Sequence, residues 1–249
     1  MSERCLAGAG ISFEDEEVMG DENIGYSIVV PFHNEELSVI ELINRITNVM
    51  KGLKEPYELI AVDDCSTDTT REKLSQLAAS DPAIVNIFLP LRTGQTGALS
   101  AGFSRARGKI TVSMDGDLQD DPSDIPLLLK KLRESGADVV CGWRWKRDDS
   151  ALVIIYSKIG NLFQRLFLGT SVHDISCTFR VYKTSALNTI NMKTSGLHRF
   201  VPFLLKRRGF SLAEEKIMQR PRKYGVSKYS SRKALETIRL FFGIVSGRY

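Results

Sequence analysis

The stretch KITVSMDGDLQDDP (109–122) decides how the rest of the chain is read. Ile110, Val112 and Met114 recur every second residue, the period of a strand that turns one face to a core. The strand then runs into Asp115-Gly116-Asp117-Leu118-Gln119. Ligands of open α/β sheets bind beyond the carboxyl ends of strands, so carboxylates at that position are read as ligand-facing. If the chain stays extended there, Asp115 and Asp117 share one face.

Working outward, the same arrangement recurs. SIVVP (27–31) is a short β-branched run ending in Phe32-His33-Asn34-Glu35, and the strand predicted at Glu58–Val62 ends in Asp63-Asp64. Three strands thus deliver acids to one edge, which is costly unless a cation or hydrogen-bond donors meet them there. Oxygen ligands at that spacing suit Mg²⁺ or Mn²⁺ that also holds substrate phosphates. Between these strands, Leu37, Ile40, Ile43, Ile46 and Met50 have helical spacing, and Thr67 or Asp68 is placed to cap a helix through Leu74 and Leu77. Further strands are expected at Ala83–Leu89, Ala137–Cys141 and Val172–Tyr182. Helices are expected at Gly97–Ala106, Pro126–Ser135, Leu197–Arg208 and Arg232–Val245. Alternating strands and helices predict an α/β fold with a mainly parallel, Rossmann-like central sheet flanked by helices.

Composition and motif searches exclude other classes. With 249 residues, 43% hydrophobic and 26% charged, the chain is no collagen, coiled coil or largely disordered polymer. The longest apolar run, Ala151–Tyr156, is far short of the ~20 residues of a spanning helix. The four cysteines form no CxxC pair and the three histidines are scattered, so neither a zinc site nor a disulfide framework is expected. Asp120 stands where an EF-hand loop from Asp115 needs glycine, Gly108-Lys109 lacks the rest of a Walker loop, and no GxGxxG follows the first strand.

Charge is uneven. Residues 1–25 hold seven acids against one base and are read as an acidic flexible tail, whereas residues 199–249 hold thirteen bases against three acids. The basic end suits an anionic membrane, a phosphorylated ligand or nucleic acid, or is a solvated helix face. Ala151–Leu168 is read either as a core helix or as an amphipathic helix in a membrane interface, with Tyr156, Phe163 and Phe167 on its apolar side.

Six motifs in order carry a resemblance: VPFHNEE (30–36), AVDDCSTDTT (61–70), SMDGDLQDDP (113–122), VVCGWRW (139–145), HDISCTFRVYK (173–183) and RPRKYGVSKY (220–229). Over about residues 27–240 the chain resembles the polyprenyl-phosphate glycosyltransferases similar to dolichyl-phosphate mannose synthase, in glycosyltransferase family two. That resemblance implies a GT-A fold over residues 26–231 and a C-terminal amphipathic, membrane-facing helix at 232–249. It also implies metal-dependent, inverting transfer of a sugar from a nucleotide sugar (GDP-mannose or a UDP-hexose) to dolichyl or undecaprenyl phosphate. The setting it implies is peripheral, on the cytoplasmic face of a membrane, without nucleic acid, and with room for a small membrane-protein partner or a homo-oligomer.

Carried over residue by residue, Pro31, His33, Glu35 and Asp63 would hold the nucleoside, and Asp115, Asp117 and Gln119 the Mg²⁺ or Mn²⁺. Asp174 and Arg180 would lie near the reaction centre, with Asp174 either orienting a sugar or forming a buried pair with Arg180. Arg222, Ser227 and Lys228 would close over the phosphates, and Arg144, Ser157 and Lys158 would meet the acceptor phosphate. Val153 stands where relatives often carry a basic residue, which shifts that load to Arg144, Lys158 or the Ser227–Lys228 pair. Trp143 and Trp145 are read as packing residues, and His33 and His198 as local hydrogen-bonding groups. The rival readings are a transferase with a soluble or glycan acceptor, and a non-catalytic membrane or nucleic-acid binding protein.

Overall fold

The computed structural model describes residues 24–146, 172–192, 194–221, 239–244 and 246. The readings of the acidic tail up to residue 23, of the helix at 151–168 with Ser157 and Lys158, and of Arg222, Ser227 and Lys228 lie outside these residues.

The strands β1 (Tyr26–Phe32), β2 (Tyr57–Asp63), β3 (Ile84–Phe88), β4 (Ile110–Ser113), β5 (Val139–Lys146), β6 (Arg180–Lys183) and β7 (Leu212–Met218) form one sheet in the order β3-β2-β1-β4-β6-β5-β7. All pairings are parallel except those of β6, which runs antiparallel to both β4 and β5. The chain goes from β1 outward to β2 and β3, then returns to lay β4 on the other flank of β1. That reversal opens a crevice between the ends of β1 and β4, the position where open sheets bind ligands.

The sheet is covered on both faces, which is why its central strands are apolar throughout. One face packs α1 (Val39–Leu53) and α4 (Ile125–Ser135). Their buried stripes, Leu42, Ile43, Ile46, Met50 and Ile125, Leu128, Leu129, Leu132, follow helical spacing. Leu74 of α2 (Thr70–Ser80) joins that layer. The other face packs α3 (Gly94–Arg105), the short α5 (Thr184–Leu187), a 3₁₀ turn at Leu197–Phe200 leading into α6 (Val201–Arg207), and Leu240 and Ile244 of the helical residues 239–244.

Two expectations change. The segment Val172–Tyr182 is strand only from Arg180, because Asp174 and Ser176 before it engage side chains rather than a ladder. The chain also leaves extended geometry after β4: Leu118 has φ +62°, so Asp115 and Asp117 do not lie on a continued strand. The sequence reading also passed over β7 and α5.

Among the described residues no helix is long and apolar enough to cross a membrane.

Candidate active site

The crevice is built first from backbone. Pro31 sits in a central strand, where a missing N–H is normally unfavourable; it is tolerated because β4 pairs with β1 only as far as Val29↔Ser113. Beyond that point Gly116 lies against β1 so closely that a Cβ would fall 2.8 Å from the Pro31 carbonyl oxygen and 2.9 Å from the Phe32 ring. Ser38 Oγ donates to the Gly116 carbonyl at 3.0 Å and also to Glu35 Oε2 at 3.0 Å. The turn carrying the acids is therefore fastened to the loop after β1.

That loop is in turn fastened to the loop after β2. His33 Nδ1 lies 2.8 Å from the Asp64 carbonyl oxygen, and the Asn34 and Glu35 N–H groups donate to Ser66 Oγ and Thr70 Oγ1. Glu36 Oε2 accepts from Thr69 Oγ1 at 2.6 Å. Asn34 and Cys65 take positive φ, of 53° and 57°, at the two bends. Asp63 is fully buried; it accepts from the Ser66 N–H and from Arg71 Nε at 3.2 Å, while the Arg71 guanidinium lies 4.8 Å over Phe88. Pro31, His33, Glu35 and Asp63 thus come together at one edge.

Asp64, to which the sequence reading gave no role, holds the start of α3. Its carboxylate accepts from the Thr93 N–H at 2.6 Å and the Gly94 N–H at 2.8 Å, satisfying donors the helix cannot. One residue on, Gln95 Nε2 donates to Asp115 Oδ1 at 2.6 Å.

The acids themselves are in conflict. Burial, then the neighbouring Asp117 carboxylate, push the Asp115 acid up to about 6 against the pull of Thr178, Arg144 and Arg180. Asp120 is pushed up to about 8, first by burial and then by Asp115, with Arg144 opposing. Asp117 Oδ1 accepts from the Gln119 N–H at 3.2 Å. Among the described residues no three His, Cys, Asp or Glu side chains converge as a closed metal cage. Two half-buried, mutually repelling carboxylates fit a hard divalent cation that keeps positions for phosphate oxygens and water. Such an ion would relieve the repulsion.

Behind this turn Asp121 takes Arg45 at 2.6 Å and, from the end of β7, Arg220. Burial opposes its charge, but hydrogen bonds from Ser123 and the two guanidinium groups outweigh it and hold Asp121 below the usual carboxylate range.

The second half of the site comes from β5 and the segment before β6. Arg144 forks onto Asp174, Nε to Oδ2 at 2.6 Å and Nη2 to Oδ1 at 2.9 Å, and also reaches Ser176 Oγ at 2.7 Å. Both side chains are nearly buried. Asp174 therefore pairs with Arg144, not with Arg180. Arg180 is buried at the start of β6 and donates to the carbonyl oxygens of Ile175 and His198, at 2.5 and 2.9 Å, which makes it a brace for the segment carrying Asp174. His198 Nδ1 lies 2.7 Å from Thr96 Oγ1.

A further acid, Glu214 of β7, supports Asp174 from below. It accepts from the backbone N–H groups of His173 (2.5 Å) and Asp174 (3.3 Å), and its other oxygen lies 2.7 Å from His173 Nδ1. Nothing local in LAEEKIM (212–218) marks Glu214, because its partners are some forty residues away in sequence.

Fold and site together define a GT-A α/β protein whose crevice gathers carboxylates from three strand ends. The glycosyl transferase family 2 model matches residues 27–190, and the chain belongs to that family. It is 33% identical over 221 residues to the dodecaprenyl-phosphate galacturonate synthase of Rhizobium johnstonii, covering 87% of this chain and 65% of that one. It is also 33% identical to the undecaprenyl-phosphate 4-deoxy-4-formamido-L-arabinose transferase of Pseudomonas paraeruginosa, covering 88% and 64%. The chain thus spans just under two thirds of the length of these relatives. Glucosyl-3-phosphoglycerate synthase from Mycobacterium tuberculosis, solved with Mn²⁺, UDP-glucose and phosphoglyceric acid, superposes with a TM-score of 0.72 at 20% identity, covering 90% of this chain and 80% of that one. The same enzyme has been solved with Mg²⁺ and UDP.

Proposed function

We propose that the chain transfers a sugar from a nucleoside diphosphate donor to a polyprenyl phosphate, with inversion at the anomeric carbon. The observation that carries this reading is the Arg144–Asp174 pair, set at the same sheet edge as the Asp115–Asp117 turn: a fixed cation near enough to oppose the rise of the Asp115 acid, beside the carboxylates that would hold a divalent ion. The relatives' polyprenyl-phosphate acceptors support it.

The reaction needs two anions to meet. An oxygen of the acceptor phosphate, already ionised at neutral pH, attacks the anomeric carbon. The bond from that carbon to the donor diphosphate breaks, and its electron pair leaves with the nucleoside diphosphate. No proton need be removed from the nucleophile, so no strong base is required. Asp63 at the end of β2, with Arg71 of α2 on it, holds the nucleoside, and Pro31, His33 and Glu35 shape the wall beside it. Asp115, Asp117 and Gln119 would hold Mg²⁺ or Mn²⁺, which would supply positive charge against the leaving diphosphate. Asp174 orients Arg144 toward the acceptor phosphate and keeps its charge local. Arg180 braces that segment, and Arg222, Ser227, Lys228, Ser157 and Lys158 are assigned to the phosphates from the sequence motifs alone. The setting proposed is peripheral, at the cytoplasmic face of a membrane.

The test is transfer of labelled sugar from a panel of uridine and guanosine diphosphate sugars to undecaprenyl and dolichyl phosphate, with Mn²⁺, Mg²⁺ or EDTA. Label is expected in the lipid phase only with metal, and Asp117→Ala should lower it by about 10²–10³-fold, the loss typical when a group stabilising developing charge is removed. Label appearing on a soluble acceptor instead would sink the lipid-acceptor assignment.

A further inference from the structure

Both tryptophans of the chain, Trp143 and Trp145, lie at the carboxyl end of β5, next to the edge strand β7. Register between β5 and β7 shifts between Arg144 and Lys146, so Trp145 is the extra residue of a bulge. A bulged residue leaves the ladder and is re-aimed, and Trp145 is accordingly 54% exposed. Its ring stands edge-on to Trp143 at 5.3 Å. Trp143 in turn stacks on His173 at 4.3 Å and 11°. Lys216 Nζ sits 3.9 Å from the Trp145 centroid, and Met218, two residues along β7 on the same face, is 64% exposed. Trp143 packs between Trp145 and His173, whereas Trp145, Lys216 and Met218 stand at the surface. They form a surface of aromatic, thioether and ammonium groups.

We propose that this edge seats the protein on the headgroup layer of an anionic bilayer, with Trp145 and Met218 entering the interface and Lys216 at the lipid phosphates. The inference rests on the reading of the acceptor as a lipid phosphate and names the face that meets the membrane. Three observations choose this occupant. Tryptophan and lysine carry apolar bodies with polar ends, the chemistry of a membrane–water interface. The patch lies at the same sheet edge as the acids and one residue from Arg144, so a phosphate held in a bilayer would arrive beside the guanidinium. The two segments that leave this edge also match: the one after β5 contains the apolar-rich run Ala151–Leu168. The one after β7 brings Arg222, Lys223, Lys228, Arg232 and Lys233 against a single acid, Glu236, up to residue 238. A protein partner adding a strand to β7 is disfavoured by the charged Glu215 and Lys216 on that edge.

The two tryptophans make the test direct, because tryptophan emission, excited selectively over the seven tyrosines, arises from this patch alone. The full chain is titrated with vesicles of phosphatidylethanolamine and phosphatidylglycerol that hold no polyprenyl phosphate, with phosphatidylcholine vesicles as control. Trp143→Phe isolates the signal of Trp145. A blue shift and quenching by lipids brominated near the headgroup are expected with the anionic vesicles. The variant carrying both Trp145→Ser and Lys216→Ser should bind them about tenfold or more weakly while keeping transfer to polyprenyl phosphate dispersed in detergent. Co-sedimentation with vesicles without quenching would place the membrane on another face and overturn the proposal. Quenching that needs polyprenyl phosphate in the vesicles would overturn it too, by making the patch part of the acceptor site. Failure of the unaltered chain to glycosylate detergent-dispersed polyprenyl phosphate would strike the functional reading instead, and the fluorescence result distinguishes the two.

Discussion

At the scale of single residues, Asp64 and Glu214 hold the site by accepting from backbone N–H groups. Glu214 is the clearest case. Its two oxygens take two N–H groups and a ring nitrogen of the His173–Asp174 turn, and Asp174 then takes both arms of Arg144. Removing Glu214 leaves half-buried donors without their acceptor, at a cost of about 1 kcal/mol, the low end for a lost buried partner. Glu214→Ala is expected to fold, with a lowered denaturant midpoint, and to lose about 10–100-fold in kcat, an effect on the scale of lost supporting contacts to a functional ligand. Glu214→Gln retains an acceptor oxygen for the N–H groups and should recover most of that loss. Equal damage from both variants in steady-state kinetics would mean the charge, not the positioning, matters. This also bounds what the sequence could reveal. Asp174 was legible through its motif, but its partner was not: Arg180 stands six residues away on the same segment, whereas Arg144 arrives from another strand, thirty residues upstream. Pairing across a sheet is a property of register, which no local pattern encodes.

At the scale of elements, legibility followed burial. Strands β1, β2 and β4 are buried on both faces, so their apolar runs stood out within a residue or two of their true ends. The edge strand β7 was missed because LAEEKIM is half polar, as an exposed edge should be. The acid-bearing turn was placed correctly at the strand end but not its bend, since a positive φ at Leu118 is imposed by the bonds around it. Packing tolerance can be tested where α3 meets the sheet. A Cβ at Gly102 would lie 2.3 Å from Val29 Cγ1 of β1, and Val29 is fully buried. Alanine there gains about 1 kcal/mol of helix propensity but meets overpacking of about 1–3 kcal/mol. Gly102→Ala is therefore expected to lower stability in urea titrations, and Asp115 function with it, because α3 carries Gln95. An unchanged or raised midpoint would show that α3 shifts freely on β1.

At the scale of the whole molecule, the acid edge is expected to make stability depend on pH and on added metal together. Asp115 and Asp120 are raised to about 6 and about 8, by burial first and by their acidic neighbours next. Unfolding restores ordinary carboxylates near pH 4. Between these limits the folded state binds more protons than the unfolded one, so stability falls as pH rises, by up to about 1.4 kcal/mol per pH unit for each acid still held protonated. The metal-free chain should therefore melt at a lower temperature at pH 8 than at pH 5, with Asp120→Asn removing much of the slope. A divalent cation binds the ionised acids and not their protonated forms, so Mn²⁺ should raise the melting temperature more at pH 8 than at pH 5. Calorimetry with and without Mn²⁺ at both values decides the matter: an equal metal shift at the two pH values would mean that the cation binds away from the Asp115–Asp117 turn.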